Sequence, residues 1–497
     1  MKTLIQGGWV VGHNGREHEI VEGGVVVVED ERIAYVGDSF SEPVDRRIEA
    51  PGRLVSPGLI NTHLHARTNS SDHVLNDIGR PEYLGRNYLS SGSPLRGRRP
   101  ERRLEDVWVG GRFALLQALK SGSTTILEIG TVGGNGEEFV KMAGELGVRV
   151  YLSPQYRSAD FLSEPDGRIV YDLDEERGRQ GLRRAVDFIE RHHGSYGDRI
   201  RGMLYPGQID TCTPELLKDT RAQATRLGVG IELHAAMNVW EFHEIMRRHR
   251  MTPIQLLASL DLLAPDVLLG HCIFVSGYDW LKFPYGDDLK LIADAGATVA
   301  HSPLKYGKQG ITMHSFQRYL DRGIRMTIGT DTFPRDIITE LRYAALFCRI
   351  ADENYMVGKP RDVYNAATVA GAAALGRTDI GRLVPGARAD IIIVNLDHLH
   401  AGAILDPIKT LVECSSGRDV ELVMVDGKTL VENGRAVAID EGDLLDQVRR
   451  LAREEWDGVP EWDWAGRRPE EMVPLSFPMR VSQAGGKSSP AERSAVR

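Results

Sequence analysis

Eight short apolar segments separated by helical stretches are the feature that most restricts how this 497-residue chain can fold. Their cores are Leu54–His65, Thr124–Gly130, Val148–Pro154, Ile200–Pro206, Val229–His234, Val267–Val275, Thr298–Pro303 and Met326–Thr332. Helical patterns such as Val107–Leu119 and Pro214–Leu227 fall between most of them. Eight strands alternating with helices predict an α/β chain, a (β/α)₈ barrel over residues 57–380. That span exceeds the roughly 250 residues usual for such a barrel, so insertions are expected. The Asn-, Ser-, Gly- and Arg-rich stretch Arg67–Arg103 follows the first strand and is expected to form a mobile loop over the barrel mouth.

The two ends of the chain read differently from the middle. Gly24–Val28 and Ile33–Gly37 flank the polar turn Glu29–Arg32, as in a hairpin. Near the other end, Ala389–Val394, Val420–Val425 and Thr429–Glu432 are apolar runs, and Asp426-Gly427 and Asn433-Gly434 supply the positive φ values of tight turns. These pieces predict one small β-sandwich built from both termini, residues 1–56 and 381–439. Residues 440–497 are expected to be a helix over Glu441–Glu455 and a Trp-bearing arm, with disorder from about Val481.

Composition narrows the function classes. Lys and Arg number 61 against 70 Asp and Glu, a net charge of −9, which argues against a nucleic-acid partner. No apolar run approaches the ~18 residues of a membrane span, and the N-terminus lacks the pattern of a secretion signal. Cys212, Cys272, Cys348 and Cys414 are far apart in sequence and do not form a disulfide framework. A cytoplasmic protein acting on a small molecule is expected.

The histidines carry the chemistry by their positions. His63 and His65 end the first strand two residues apart, so both side chains face the same way. His234 ends the fifth strand, His271 lies in the sixth, His301 ends the seventh and Asp331 ends the eighth. Active sites of this fold form at the C-terminal strand ends. Imidazole and carboxylate together suit Zn²⁺ or Fe²⁺, and three or four ligands with an open position make a catalytic site.

The motifs Pro57–His65, Ser121–Thr125, Asp210–Leu217, Gly329–Asp331, Ala367–Gly376 and Gly386–Asp390 resemble those of the amidohydrolase superfamily, in its cytosine deaminase-like and triazine hydrolase branch. The resemblance implies one divalent metal, Zn²⁺ before Fe²⁺, held by His63, His65, His234 and Asp331. It implies that the metal lowers the pKa of a bound water. Asp331 would accept a proton from that water and pass it on, and His271 would orient the water or polarise the bond under attack. The central strands offer no bridging Lys or Glu for a second metal; Glu128 is a spare carboxylate. Oligomers are common in such enzymes, so a homo-oligomer is expected.

The substrate side departs from the family. The Glu that family deaminases carry three residues after the fifth-strand His is Met237 here, and methionine cannot carry a proton. Phe274 stands at a position that is often His, Gly207 precedes Gln208 where a His is frequent, and Leu304-Lys305 replaces a Ser-Asn pair. His301, Met237, Lys305, Phe274 and Gln208 are the expected substrate contacts. Glu241 is expected on the solvent face of the following helix. Apolar Met237 and Phe274 suggest a weakly polar pocket, hence hydrolysis of a carbonyl C–N bond (amide, carbamate, urea or lactam). The alternative is deamination or dechlorination of an N-heterocycle; a lesser one is a barrel that binds metal or ligand without catalysis.

Overall fold

The computed structural model describes residues 1–67, 92–94, 97–98, 103–130, 136–164, 169–463, 465–473 and 475–480. Most of the loop expected over the barrel mouth and the tail from Val481 onward lie outside the described residues.

Eight parallel strands form the barrel: β1 Leu59–Leu64, β2 Ser123–Glu128, β3 Arg149–Leu152, β4 Ile200–Gly202, β5 Ile231–Ala235, β6 Val267–His271, β7 Thr298–His301 and β8 Arg325–Ile328. Each residue of β1, β2, β5, β6 and β7 is buried, as expected of strands covered by helices outside and packed side chains inside. Ladders join β1 through β4 and β5 through β8 as two four-stranded sheets. Two seams close the cylinder. At one, the Asp331 amide donates to the His63 carbonyl (2.8 Å) and the His65 amide to the Asp331 carbonyl (2.8 Å). At the other, the Leu204 amide donates to Gly230 and the Glu232 amide to Leu204, both at 3.0 Å. The candidate site residues therefore lie at the places where the barrel is stitched shut.

The helices obey their sequence signals. Pro214–Leu227 begins on a Thr213 cap, has Pro at its first position and ends at Gly228 in the left-handed region. The helix expected at Val107–Leu119 runs over Leu104–Lys120, and the C-terminal one over Glu441–Asp457. Beyond it, Trp462 packs with Val459 and Met472 in a small apolar cluster.

Nine strands from both ends of the chain hydrogen-bond in one sheet that makes the β-sandwich. The two halves join where Arg46–Pro57 pairs antiparallel with Ile391–Asn395. Ile5, Val10, Val26, Val55, Ile391 and Met424 share its core. The first apolar segment of the sequence is thus two strands: Leu54 to Pro57 belong to the sandwich, and β1 starts at Leu59. A hairpin of Ala159–Ser163 with Ile169–Leu173, absent from the sequence reading, follows β3. Among the described residues no helix is long and apolar enough to cross a membrane.

Candidate metal and hydrolytic site

His63, His65, His234, His271 and Asp331 converge at the C-terminal ends of the strands. The His63 ring centroid lies 5.7 Å from that of His65, 5.0 Å from His234 and 4.4 Å from His271. The His65 and His234 rings stack at an interplanar angle of 6°. Asp331 stands between two of them, with Oδ1 3.7 Å from His65 Nε2 and Oδ2 3.4 Å from His271 Nε2. Its φ of 56° is unusual for a non-glycine residue and is held by the two seam hydrogen bonds to β1.

Two of the imidazoles are oriented by their second nitrogen. His234 Nδ1 donates to the Gly207 carbonyl at 2.8 Å, which leaves Nε2 with a lone pair facing the site. His63 Nδ1 lies 2.6 Å from Glu232 Oε1, and His63 Nε2 is buried with no hydrogen-bond partner among the described residues. Both ring nitrogens of His271 are likewise buried without a hydrogen bond. Burial pushes all four imidazoles below the usual histidine range, His63 to about 3. They are neutral near pH 7 and have lone pairs to offer.

These donors fit a metal ion. One donor atom each from His63, His65 and His234 lies within 4.8 Å of the others, and the same holds for His63, His271 and Asp331. A nitrogen-and-carboxylate set that leaves buried nitrogens unsatisfied matches the preference of a borderline divalent cation. His271 stands as close to His63 as the other rings do, so the geometry admits it to the donor group beside His65, His234 and Asp331.

A cavity of about 260 Å³ opens onto this cluster. Lys305, Met237 and Gln208 are among the residues that line it. The wall differs from the weakly polar one expected. Arg67 and Arg157, with the amides Gln155, Asn238 and Gln309, complete a lining in which Met237 and Tyr306 are the main apolar surfaces. Buried without a hydrogen-bond partner among the described residues are Gln208 Nε2 and Asn238 Nδ2. Phe274 is not on the wall: it is fully buried in a cluster with Ile273, Tyr278, Tyr306 and Ile311. His301 is not there either; it is buried, with its ring 5.9 Å from that of Phe316.

Three carboxylates complete the surroundings. Glu128 Oε1 accepts from the Ala66 amide at 3.1 Å, just past His65. Glu241 is a correction to the sequence reading. It is fully buried on the helix Val239–His249, and its carboxylate accepts from the Ala236 amide at 2.5 Å and the Met237 amide at 3.1 Å. A charged residue at a helix start looked solvated in one dimension, but its side chain turns back to cap the loop after β5. Glu232 went unremarked in the sequence, although Glu232 and His234 obey the same two-residue alternation as His63 and His65. Arg335, also unforeseen, donates to the His65 carbonyl (2.9 Å) and the Arg67 carbonyl (3.0 Å), fixing the backbone as it leaves β1.

Comparison with known proteins agrees with this arrangement. The chain is 28% identical over 438 residues to the 5'-deoxyadenosine deaminase of Methanosarcina acetivorans, covering 87% of this chain and 94% of that protein. It is 29% identical over 462 residues to the 5-methylthioadenosine/S-adenosylhomocysteine deaminase of Desulforudis audaxviator, covering 91% and 99%. A triazine hydrolase variant superposes with a TM-score of 0.75 at 25% identity, covering 91% of this chain and 99% of that one. The zinc-bound adenosine deaminase of Xanthomonas campestris shares the fold, with a TM-score of 0.74 at 19% identity over 91% and 98% of the two chains. The Amidohydrolase family model matches residues 54–430, well over half of the chain, and with the barrel and its strand-end histidines this places the protein in the amidohydrolase family.

Proposed function

We propose that this protein is a metal-dependent hydrolase that displaces an amino or chloro substituent from an N-heterocycle, with water as the nucleophile. The observation that carries this reading is the cavity wall beside the histidine cluster. Two buried amide donors, Gln208 Nε2 and Asn238 Nδ2, lack acceptors among the described residues, and a heterocycle offers acceptors in its ring nitrogens. A buried donor left unsatisfied costs about 1–3 kcal/mol, which a bound acceptor would recover. The curated relatives, named as deaminases of adenine nucleosides, support the same class.

One divalent ion held by His63, His65, His234 and Asp331 is the proposed cofactor. When bound it supplies Lewis acidity toward water and the carbon under attack. Asp331 sits where it can take a proton from the attacking water through one oxygen and face His271 through the other. It would then release that proton to the departing amine. His271, neutral because it is buried, offers a ring nitrogen to the water or to the heterocycle without competing as a cation. Met237 lines the cavity where family deaminases have their acid. Lys305 is the cation on the wall whose charge is felt by His63, His65, His234 and His271. We assign it the protonation of the ring nitrogen, a role the missing Glu leaves open.

A second reading, hydrolysis of a carbonyl C–N bond, is favoured by Met237 alone, because a polarised carbonyl needs no ring protonation. Product formation by zinc-loaded protein, followed by chromatography for each compound, separates the two. The panel would pair 5'-substituted adenosines and amino- or chloro-triazines with lactams, ureas and carbamates. Product from the heterocycles, reduced in Lys305→Met, is the expected result; turnover confined to the carbonyl compounds would replace the first reading by the second.

A further inference from the structure

We propose that Glu232 is a positioning residue of the metal centre, which holds His63 as an Nε2 ligand and supplies part of the negative charge that balances the ion. This rests on the metal-dependent reading above and names a residue that reading does not use.

The His63 side chain is closely packed at its Cβ and Cε1. A methyl group built on Gly270 would come within 2.8 Å of His63 Cε1, and one on Gly329 within 2.4 Å of His63 Cβ. Gly270 thus leaves room for the ring, and Gly329 for the Cβ and backbone that carry it. Glu232 closes the Nδ1 side: its Oε1 is 2.6 Å from His63 Nδ1, and the two side chains are 1% and 0% exposed. For Nε2 to coordinate a cation, the ring hydrogen must sit on Nδ1, and the carboxylate must be its acceptor. Ring tautomer and ring direction are therefore both fixed by this contact.

A purely architectural role accounts poorly for Glu232. Its second oxygen, Oε2, is buried without a hydrogen-bond partner among the described residues. A buried carboxyl oxygen without a partner is costly, and an apolar side chain would stabilise the interior better. A divalent cation held through His63 Nε2 would turn that cost into attraction.

The test uses full-length protein stripped by a chelator, with zinc affinity read by competition against a chromogenic chelator. Glu232→Gln keeps the shape and an acceptor oxygen but removes the charge; Glu232→Leu removes both. Zinc affinity should fall about tenfold in the first and approach 100-fold in the second, the range typical of a lost partner to a metal-bound histidine. The metal-free proteins should melt no lower than metal-free wild type, a readout that an architectural role would move the other way. Should Glu232→Leu fail to fold, the near-isosteric Gln variant still decides. Wild-type zinc affinity in the Gln and Leu variants, or a loss of affinity that only tracks destabilisation of the metal-free fold, would overturn the proposal. Wild-type protein that binds no divalent ion would instead overturn the metal-dependent function itself.

Discussion

The two ends of the barrel bury polar groups differently, although at the N-terminal end too one oxygen, Asp426 Oδ2, has only a 3.6 Å ion pair with Arg199 and no hydrogen bond among the described residues. At the N-terminal end, Arg149 opens β3 and faces the sandwich with every guanidinium nitrogen bonded. Nε and Nη2 donate to Asp390 (3.1 and 3.2 Å), Nη2 also to Asp426 (2.7 Å), and Nη1 to the Asp198 carbonyl (3.2 Å). Asp390 in turn accepts from the Asp426 amide at 2.9 Å. At the C-terminal end, imidazole nitrogens of His63 and His271 and amide groups of Gln208 and Asn238 have no hydrogen-bond partner among the described residues. Both clusters are largely buried and both contain ionisable groups. The paired one ties the C-terminal half of the sandwich to the barrel; the unpaired one leaves donors and lone pairs open. A buried polar atom without a partner is a better pointer to chemistry than a buried polar residue as such.

Mutations at the mouth and at the floor should separate the two roles. The largest effect is expected at the mouth: His65→Ala or Asp331→Ala should lower turnover by about 10³-fold or more, some 4 kcal/mol of barrier, with chemical unfolding of the metal-free protein little changed. Steady-state rates beside denaturant curves would show this, and near-wild-type turnover in either variant would remove the site. The floor should answer with stability. Arg149→Met strands two buried carboxylates and should cost about 3–5 kcal/mol in a denaturant titration, while the zinc affinity of the folded fraction stays at the wild-type level. An equal loss of affinity would mean that the two ends are coupled.

Metal removal should destabilise the fold from the mouth alone. With free zinc a hundredfold above its dissociation constant, binding adds about 2.7 kcal/mol, so chelation should lower the melting temperature of wild type and leave that of His63→Ala unmoved. Glu241 is a smaller test, because it is a paired group at the mouth. Glu241→Ala leaves the Ala236 and Met237 amides without their acceptor and should cost about 1–3 kcal/mol. It should also slow turnover by loosening the loop that carries Met237, and a variant with unchanged stability would show that this carboxylate is dispensable.

Much of this was legible in one dimension, and most of the misses share a cause; His301 is the exception, a strand end like the others that packs against Phe316 away from the cavity. Strand ends and two-residue alternation were enough to mark His63, His65, His234, His271 and Asp331, because a barrel strand sends its terminal residues to one mouth. The same alternation marks Glu232, but an acidic residue inside an apolar run carries no signal until its partner across the barrel is known. Glu241 and Phe274 were misplaced for a related reason. Each lies a few residues past a strand, where the backbone reverses at positive φ (Ala236 at 51°, Cys272 at 51°) and alternation no longer tells inside from outside. The polar wall of the cavity comes from Arg67, Gln155, Arg157, Asn238 and Gln309, on four separate strand-to-helix connections, so no local window contained it.

The sequence by itself determined the eight-strand alternation, the composite sandwich and the identity of the residues gathered at the mouth, since periodicity and strand ends are local properties of the chain. Tertiary structure alone decided which atoms are left without partners. Closing the barrel at the β8–β1 seam sets Asp331 against His63 and His65, and closing it between β4 and β5 brings Gly207 to His234. Glu232 reaches His63 only across the finished interior. Hydrogen-bond satisfaction depends on distances between segments remote in sequence, and those distances exist only once the cylinder is shut.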